Sequence, residues 1–316
     1  MSFPAGGALV DDLVDASLTD GDVLIDVSHS SVNFKDALAL TGRPGVITLP
    51  GTIAGIDLVG TVVSSGSSVW SPGDRVLING CGLGESRDGG LAERARVHSE
   101  WLVAVPSTMS SSQAAAVGTA GFTAMLAVMA LERHGVSGEI LVTGATGGVG
   151  SIAISLLSTL GFSVTAATGK AAEHDWLRAL GATTIIDRDE LASAGKPLQK
   201  QRWGGAIDAV GGQSLATILA QTNYGGLVAA CGLAGGAELP ATVMPFILRG
   251  VSLHGINSVW CPTDLRHAAW HRLGHVLDLE ALDSITTVVS LDSAVGVAER
   301  MMRGEARGRV VVDVQH

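Results

Sequence analysis

The sequence predicts an α/β protein of two domains, one built on a parallel sheet covered by helices and the other mostly of β-strands. Three observations carry this. The chain has 316 residues, and a single hydrophobic core rarely grows past roughly 250 to 300. Hydrophobic residues make up 47% and charged residues 16%, a balance that suits a sheet buried on both faces and excludes a disordered chain. The rhythm also changes near Ser110, from short β-like runs parted by turn residues to a repeating order of strand, glycine turn and helix.

In the first third, "DVLIDVSHSSVNF", "GIDLVGTVVSSGSSV", "GDRVLINGCG" and "LAERARVHSEWLVAVP" are divided by Gly, Pro, Asp and Ser, the pattern of an all-β or barrel-like domain. From Ser110 to about Asn257 the strands are "EILVTG", "SVTAAT", "TTIID", "GAIDAVG", "GLVAACG" and "VSLHGIN". The helices between them include Gly150 to Gly161 and His174 to Gly181, and such a βαβ series needs a parallel sheet covered on both faces. Ala114 to Leu131 carries no charge over 18 residues, the lower limit for crossing a bilayer. Its Ala and Gly content, with Thr119 and Thr123, reads instead as a helix buried under a sheet. "WCPTDLRHAAWHRLGHVLDL" reads as an amphipathic helix and the tail "GRVVVDV" as a strand that rejoins the first domain. The expected domains are therefore 1–113 with 260–316, and 114–259.

With 30 acidic against 20 basic residues the net charge is −10, a field that repels nucleic acid and anionic membrane. A phosphorylated ligand must then find local positive charge. The three cysteines, Cys81, Cys231 and Cys261, form no CxxC pair, and Met1 to Leu13 has neither a basic region nor an apolar one. These features point to a reducing, cytoplasmic setting.

"EILVTGATGGVGS" sets an apolar strand before a glycine loop and an apolar helix after it, the context a dinucleotide fingerprint requires. Gly144, Gly147 and Gly150 follow G-x-x-G-x-x-G rather than G-x-G-x-x-G, and the loop must still bring backbone amides to a pyrophosphate at the positive end of the helix. An NAD site places Asp or Glu at the end of the second strand to bind the ribose hydroxyls. Here that strand ends in Thr168-Gly169-Lys170. A hydroxyl, a flexible backbone and a cation suit a 2′-phosphate, and Arg188 after the third strand adds bidentate charge, so NADPH is favoured over NADH. The plainer alternative is that Lys170 and Arg188 are ordinary solvated charges.

No Cys/His cluster has structural zinc spacing, and His267, His271 and His275, interleaved with Trp270 and Arg272, read as a partly exposed helix face rather than a metal site. There is no G-x-S-x-G elbow for a serine hydrolase. Hydride transfer to an already activated acceptor needs no metal, which points to reduction of a conjugated C=C bond or a quinone.

The motifs "SSVNFKDAL", "GIDLVGTV", "GGLAERARV", "GTAGFTAMLAVMALE", "VTGATGGVGS", "NYGGLVAACGLAGG", "TVMPFILRGV" and "GRVVVDV" resemble the medium-chain dehydrogenase/reductase superfamily. Within it they resemble the zinc-free acrylyl-CoA reductase group, also labelled YhdH-type quinone oxidoreductases. The resemblance implies a Rossmann-type nucleotide domain plus a discontinuous, mostly β, GroES-like catalytic domain. Where zinc-dependent relatives carry Gly-His-Glu, this chain has Gly55-Ile56-Asp57. The resemblance further implies that Thr146, Gly147, Gly148 and Val149 line the pyrophosphate, and that Thr168, Gly169, Lys170 and Arg188 meet the 2′-phosphate and adenosine ribose. Leu233, Ile247 and Ser258 match positions beside the nicotinamide half, and Arg309 matches a basic residue reaching toward the cofactor. Asn33 and Asp36 match the catalytic motif, Asn33 as a donor to a substrate carbonyl and Asp36 as a catalytic or a turn residue. Phe34, counted with the cofactor contacts, replaces the common tyrosine of Asn-Tyr-Lys-Asp. Tyr224 is the chain's single tyrosine, so a first-domain tyrosine acid is excluded. The segment "MSFPAGGALVDDLVD" lacks the first strand the family leads one to expect.

The activity so implied is NADPH-dependent reduction of a short α,β-unsaturated acyl-CoA, acrylyl-CoA. Arg43, Arg87 and Arg249 are candidates for a CoA-phosphate patch or ordinary surface charges. An NADPH:quinone or 2-alkenal reductase without CoA recognition is the alternative on the same scaffold, and an NADPH-binding sensor without turnover is a third reading. The superfamily's habit of pairing its last nucleotide-sheet strand makes "VSLHGINSV" the expected edge of a homodimer.

Overall fold

The computed structural model describes residues 18–316; the expectation about "MSFPAGGALVDDLVD" lies outside the described residues. The described chain divides into two compact units, one holding residues 18–119 with Ser258–His275 and Leu282–His316, the other holding Ala120–Asn257 and Val276–Ala281.

The first unit is built on an antiparallel scaffold. Strands β1 (Val23–Ser31), β2 (Asp57–Ser65), β3 (Arg75–Asn79), β4 (Arg94–Val97) and β5 (Val103–Ala104) come from the first third, and β12 (Thr286–Ser290) and β13 (Arg309–Asp313) from the tail. The order is β12-β13-β1-β2-β3-β5, with β4 also paired to β1. Strand β13 runs antiparallel to β1, placing Asp313 opposite His29, so "GRVVVDV" does rejoin the first unit. Inward Val23, Ile25 and Val27 alternate along β1 into a core shared with Leu58, Val76, Ile78, Val310 and Val312. Strand β1 is shorter than the predicted "DVLIDVSHSSVNF", because helix α1 (Phe34–Leu40) starts straight after Asn33. The Asp36 carboxylate reaches back to accept from the Asn33 backbone N–H at 2.8 Å, and this local bond ends the strand and opens the helix.

Helix α7 (Thr263–Val276) buries Arg266, Ala269, Trp270 and Leu273, the i, i+3, i+4, i+7 stripe of an amphipathic helix. Arg266 Nη1 and Trp270 Nε1 donate to Asn79 Oδ1 at 3.2 and 3.1 Å, tying the helix to the end of β3. The shorter helices α8 (Leu279–Ser284) and α9 (Ala294–Met302) follow, and α9 packs on α1.

The second unit is a six-stranded parallel sheet in the order β11-β10-β9-β6-β7-β8. Its strands are β6 (Glu139–Val142), β7 (Ser163–Thr168), β8 (Thr184–Asp187), β9 (Trp203–Asp208), β10 (Thr222–Ala230) and β11 (Ser252–Gly255). Between them run α3 (Gly148–Thr159), α4 (His174–Ala179), α5 (Gly212–Gln221) and α6 (Met244–Arg249). Every residue of β9 is buried, as a strand covered on both faces must be. The strand order reverses between β6 and β9, which is the dinucleotide-binding topology, and ligands there lie outside the carboxyl ends of the strands. Helix α2 (Ser111–His134) is apolar enough in length and composition to cross a membrane, yet 83% of its most apolar window is buried in the protein. It is broken at Gly118, where φ is +45° and ψ −154°.

Candidate active site and cofactor-binding site

In the second unit the glycine loop is constrained by close packing. Gly144 has φ +58°, and a Cβ on Gly150 would lie 2.4 Å from the Gly144 carbonyl oxygen and 2.8 Å from Ala145 Cα. Only hydrogen fits where the helix passes over the loop. Gly147 caps α3 with no side-chain hydrogen bond to its first amides, so the amides of Gly148 and Val149 open a helix N-terminus suited to an anion. Thr146 is buried beside them.

At the end of β7, the buried Thr168 hydroxyl accepts from the Lys170 backbone N–H at 3.0 Å. A Cβ on Gly169 would stand 2.7 Å from Arg188 Nε, so glycine here lets the guanidinium lie over the strand end. The Arg188 side chain is 76% exposed, with Asp189 at 3.9 Å. A hydroxyl and two cationic residues stand where a ribose-binding carboxylate would otherwise be, and that set fits a 2′-phosphate. Leu233 and Ile247 are both exposed in this unit. Ser258 belongs to the first unit, where its carbonyl accepts from Arg266 Nη2 at 3.2 Å.

In the first unit, Asn33 and Asp36 belong to a buried polar cluster with Ser31, Asp57, Thr119 and Arg309. The Asp57 Oδ2 accepts from Ser31 Oγ at 2.7 Å and Asn33 Nδ2 at 2.8 Å, and its Oδ1 from Thr119 Oγ1 at 2.6 Å. Arg309 Nη1 donates to Asn33 Oδ1 at 3.1 Å, Nη2 to Ser31 Oγ at 2.9 Å, and Nε to the Ala116 carbonyl at 2.5 Å. A Cβ on Gly118 would strike Asp57 Oδ2 at 2.4 Å and Arg309 Nη2 at 3.0 Å. The break in α2 therefore falls where glycine's positive φ and its lack of a side chain are both required.

Two expectations are corrected by this cluster. Arg309 is 3% exposed and directs its guanidinium into the protein rather than toward a ligand, because a buried cation must satisfy its donors internally. Asn33 is 8% exposed, and its amide hydrogens face Ser31 Oγ, Asp36 Oδ2 and Asp57 Oδ2 at 3.2, 3.0 and 2.8 Å. Two hydrogens among three acceptors leave none for a substrate carbonyl. Phe34, beside them at the start of α1, is 48% exposed.

Asp36 is buried with Asp57 nearby, and these two effects push its carboxyl up to about 7 against the hydrogen bonds from Asn33 and Ile56. Burial draws the Arg309 guanidinium down, and the Asp57 and Asp36 carboxylates oppose this. The sequence marks Asp57 by its place in Gly55-Ile56-Asp57 and as an acid within the apolar run "GIDLVGTV", but neither signal shows that it joins this cluster.

The candidate CoA-phosphate arginines divide. Arg249 Nη1 donates to the Ala220 carbonyl at 2.9 Å and Nη2 to the Gln199 carbonyl at 2.6 Å, so its guanidinium ties backbone segments together. Arg87 stands over the Trp101 ring at 4.7 Å, and Arg43 is exposed. On α7, His267, His271 and His275 lie on the exposed face, the last two with ring centroids 4.4 Å apart.

Residues 19–107 match the alcohol dehydrogenase GroES-like domain, and residues 148–272 the zinc-binding dehydrogenase domain. The zinc of that second name does not fit this donor set. Ile56 is aliphatic, and among the described residues no group of three or more His, Cys, Asp or Glu is placed to hold a metal ion.

The chain is 50% identical to the probable acrylyl-CoA reductase AcuI of Escherichia coli K12, over 97% of this chain and 95% of that one. It is 47% identical to the putative quinone oxidoreductase YhfP of Bacillus subtilis, over 92% and 89%. The crystal structure of YhfP with NAD bound superposes with a TM-score of 0.92, at 45% identity and 96% and 93% coverage. The crystal structure of E. coli K-12 YhdH with bound NADPH matches with a TM-score of 0.96 and 49% identity, covering 99% of this chain and 98% of that one. The glycine loop, the reversed parallel sheet and these likenesses together place the chain in the medium-chain dehydrogenase/reductase superfamily, within its family of acrylyl-CoA reductases and YhdH-type oxidoreductases.

Proposed function

We propose that this protein is an NADPH-dependent reductase of the C=C bond of a short α,β-unsaturated acyl-CoA, converting acrylyl-CoA to propionyl-CoA. The observation that carries this is the 50% identity, over nearly the whole of both chains, to a probable acrylyl-CoA reductase. The cationic end of β7 supports the choice of cofactor. When bound, NADPH supplies a hydride to the β-carbon of the conjugated acyl group.

The chain's own residues bind and orient. Gly147, Gly148 and Val149 offer the α3 N-terminus to the pyrophosphate, with Thr146 beside them. Thr168, Gly169, Lys170 and Arg188 hold the 2′-phosphate and its ribose, and Leu233, Ile247 and Ser258 flank the nicotinamide half. Asn33 and Asp36 act from within the buried cluster, setting the start of α1 that carries Phe34, itself a proposed cofactor contact. Water or another polar group delivers the proton to the α-carbon. We assign the protein to the cytoplasm, in keeping with three free cysteines, and to a homodimer paired along β11. An NADPH:quinone or 2-alkenal reductase is the second reading, favoured by the name of the B. subtilis relative.

The direct test is to incubate the purified protein with NADPH and acrylyl-CoA and to identify products by mass spectrometry. Propionyl-CoA formed in a 1:1 ratio with oxidised NADPH is expected. Recovery of unchanged acrylyl-CoA, under conditions where benzoquinone or an enal is reduced, overturns the acyl-CoA reading.

A further inference from the structure

The second unit holds a buried acid that the reading above does not use. Asp208 closes β9 and is 0% exposed. Its Oδ1 accepts from Thr143 Oγ1 at 2.6 Å and its Oδ2 from the Gly211 N–H at 2.8 Å. The same Thr143 hydroxyl accepts from the Ala209 N–H at 3.1 Å, so it donates to one residue of the β9 exit and accepts from the next. On the other side, the Cys231 N–H donates to the Asp208 carbonyl at 2.8 Å, tying in the end of β10.

The place of this rivet matters more than its strength. Strands β6 and β9 are paired in register to Val142 and Ile207, and Thr143 and Asp208 are the next residues on each. Here the ladder ends and the side-chain bond takes over, at the point where the strand order reverses. One step further, Thr143 leads into Gly144 of the phosphate loop. A Cβ on Gly144 would already touch Ala209 Cβ at 3.5 Å, so the phosphate loop and the β9 exit are packed neighbours. After Asp208 the chain turns through Gly211 and Gly212, with φ +73° and +58°, and enters α5. A loop with two glycines at positive φ has little conformational preference of its own, and the carboxylate's bond to Gly211 holds it. Burial raises the Asp208 carboxyl, while the bonds from Thr143, Gly211 and Val210 oppose that rise. A group so placed is costly to bury without its partners.

We propose that Thr143 and Asp208 form a positioning pair that fixes the Asp208–Gly212 loop against the phosphate loop and thereby seats the nicotinamide half of the dinucleotide. The adenosine half lies toward β7 and β8, away from the pair, on the far side of the strand-order reversal. This rests on the NADPH reading of the glycine loop, and it predicts that the two halves of the cofactor respond differently to loss of the pair.

The test compares Thr143→Val, which keeps the shape and removes the hydroxyl, with Thr143→Ser, which keeps the hydroxyl, and adds Asp208→Asn. Equilibrium binding of NADPH and of 2′,5′-ADP, which lacks the nicotinamide half, is measured by titration calorimetry for each. Thr143→Val and Asp208→Asn are expected to weaken NADPH by about 10-fold, because binding must then order the loop that the pair otherwise holds. They leave 2′,5′-ADP within about twofold, since its partners at β7 and β8 are untouched, and Thr143→Ser restores NADPH binding. Equal weakening of both ligands, or of neither, overturns the proposal. Retained 2′,5′-ADP binding shows that a variant is folded; a variant that binds neither ligand is replaced by the Thr143→Ser and Asp208→Asn comparison, and no selective NADPH loss in Asp208→Asn overturns the proposal equally. Wild-type protein that binds neither ligand instead refutes the NADPH reading itself.

Discussion

Replacing Asp36 by Asn removes a carboxyl that burial and the neighbouring Asp57 push up to about 7 from an ordinary value of 3.8. Below about pH 4 the group is protonated in both folded and unfolded chains. Between that pH and about 7 the folded protein keeps a proton the unfolded chain has released, so stability from this group is lost as pH rises through the window. Urea unfolding of wild type and Asp36→Asn is therefore expected to show the wild type losing about 2 to 4 kcal/mol relative to the variant between pH 4 and pH 8. A constant difference contradicts the assignment. Arg188→Ala and Lys170→Ala are each expected to weaken NADPH by about 10-fold while leaving NADH unchanged, from loss of one charge-assisted contact to the 2′-phosphate; parallel losses for both cofactors in a fluorescence titration count against that role. The family resemblance singles out Asn33, Asp36 and Arg309, but not the directions of their side chains. Spacing shows which residue types recur, whereas Arg309 reaches Asn33 and Ser31 across most of the chain's length, and only the folded register of β13 against β1 brings them together.

Among the elements, the strand, glycine loop and helix from Glu139 to Thr159 were legible because three local signals agree: an apolar run, glycines at fixed spacing and an apolar helical stretch. The structure gives the reason for the third glycine, since the Gly150 hydrogen faces the Gly144 carbonyl. Gly150→Val is accordingly expected to lower stability by about 1 to 3 kcal/mol through overpacking and to abolish NADPH binding, measured by thermal unfolding with and without cofactor. An unchanged ligand-induced shift in melting temperature refutes this account of the loop. Helix α1 was not legible. "VSHSSVNF" continues a strand pattern up to Phe34, and the bond that ends it is made by Asp36, three residues into the helix. Strand β12 is not legible in the sequence either, because Thr286–Ser290 is short and acquires its pairing only from β13.

For the whole molecule, composition and rhythm pointed to two units; the apolar run "GRVVVDV" marked a tail strand, and its partner β1 is given by the folded register. What the linear sequence hid was the work of single buried polar residues such as Asp57 and Asp208, each an acid in an apolar strand whose partners lie 24 to 65 residues away in the bonds to Asn33 and Thr143. At this scale the protein is an NADPH-dependent acyl-CoA reductase rather than a general quinone or enal reductase. Steady-state oxidation of NADPH and of NADH, with acrylyl-CoA, 1,4-benzoquinone and an enal compared by kcat/KM, tests it most directly. Acrylyl-CoA with NADPH is expected to exceed every other combination by at least about 10-fold, the discrimination that one charged contact confers. A quinone or enal preferred over acrylyl-CoA, or NADH preferred over NADPH, contradicts it.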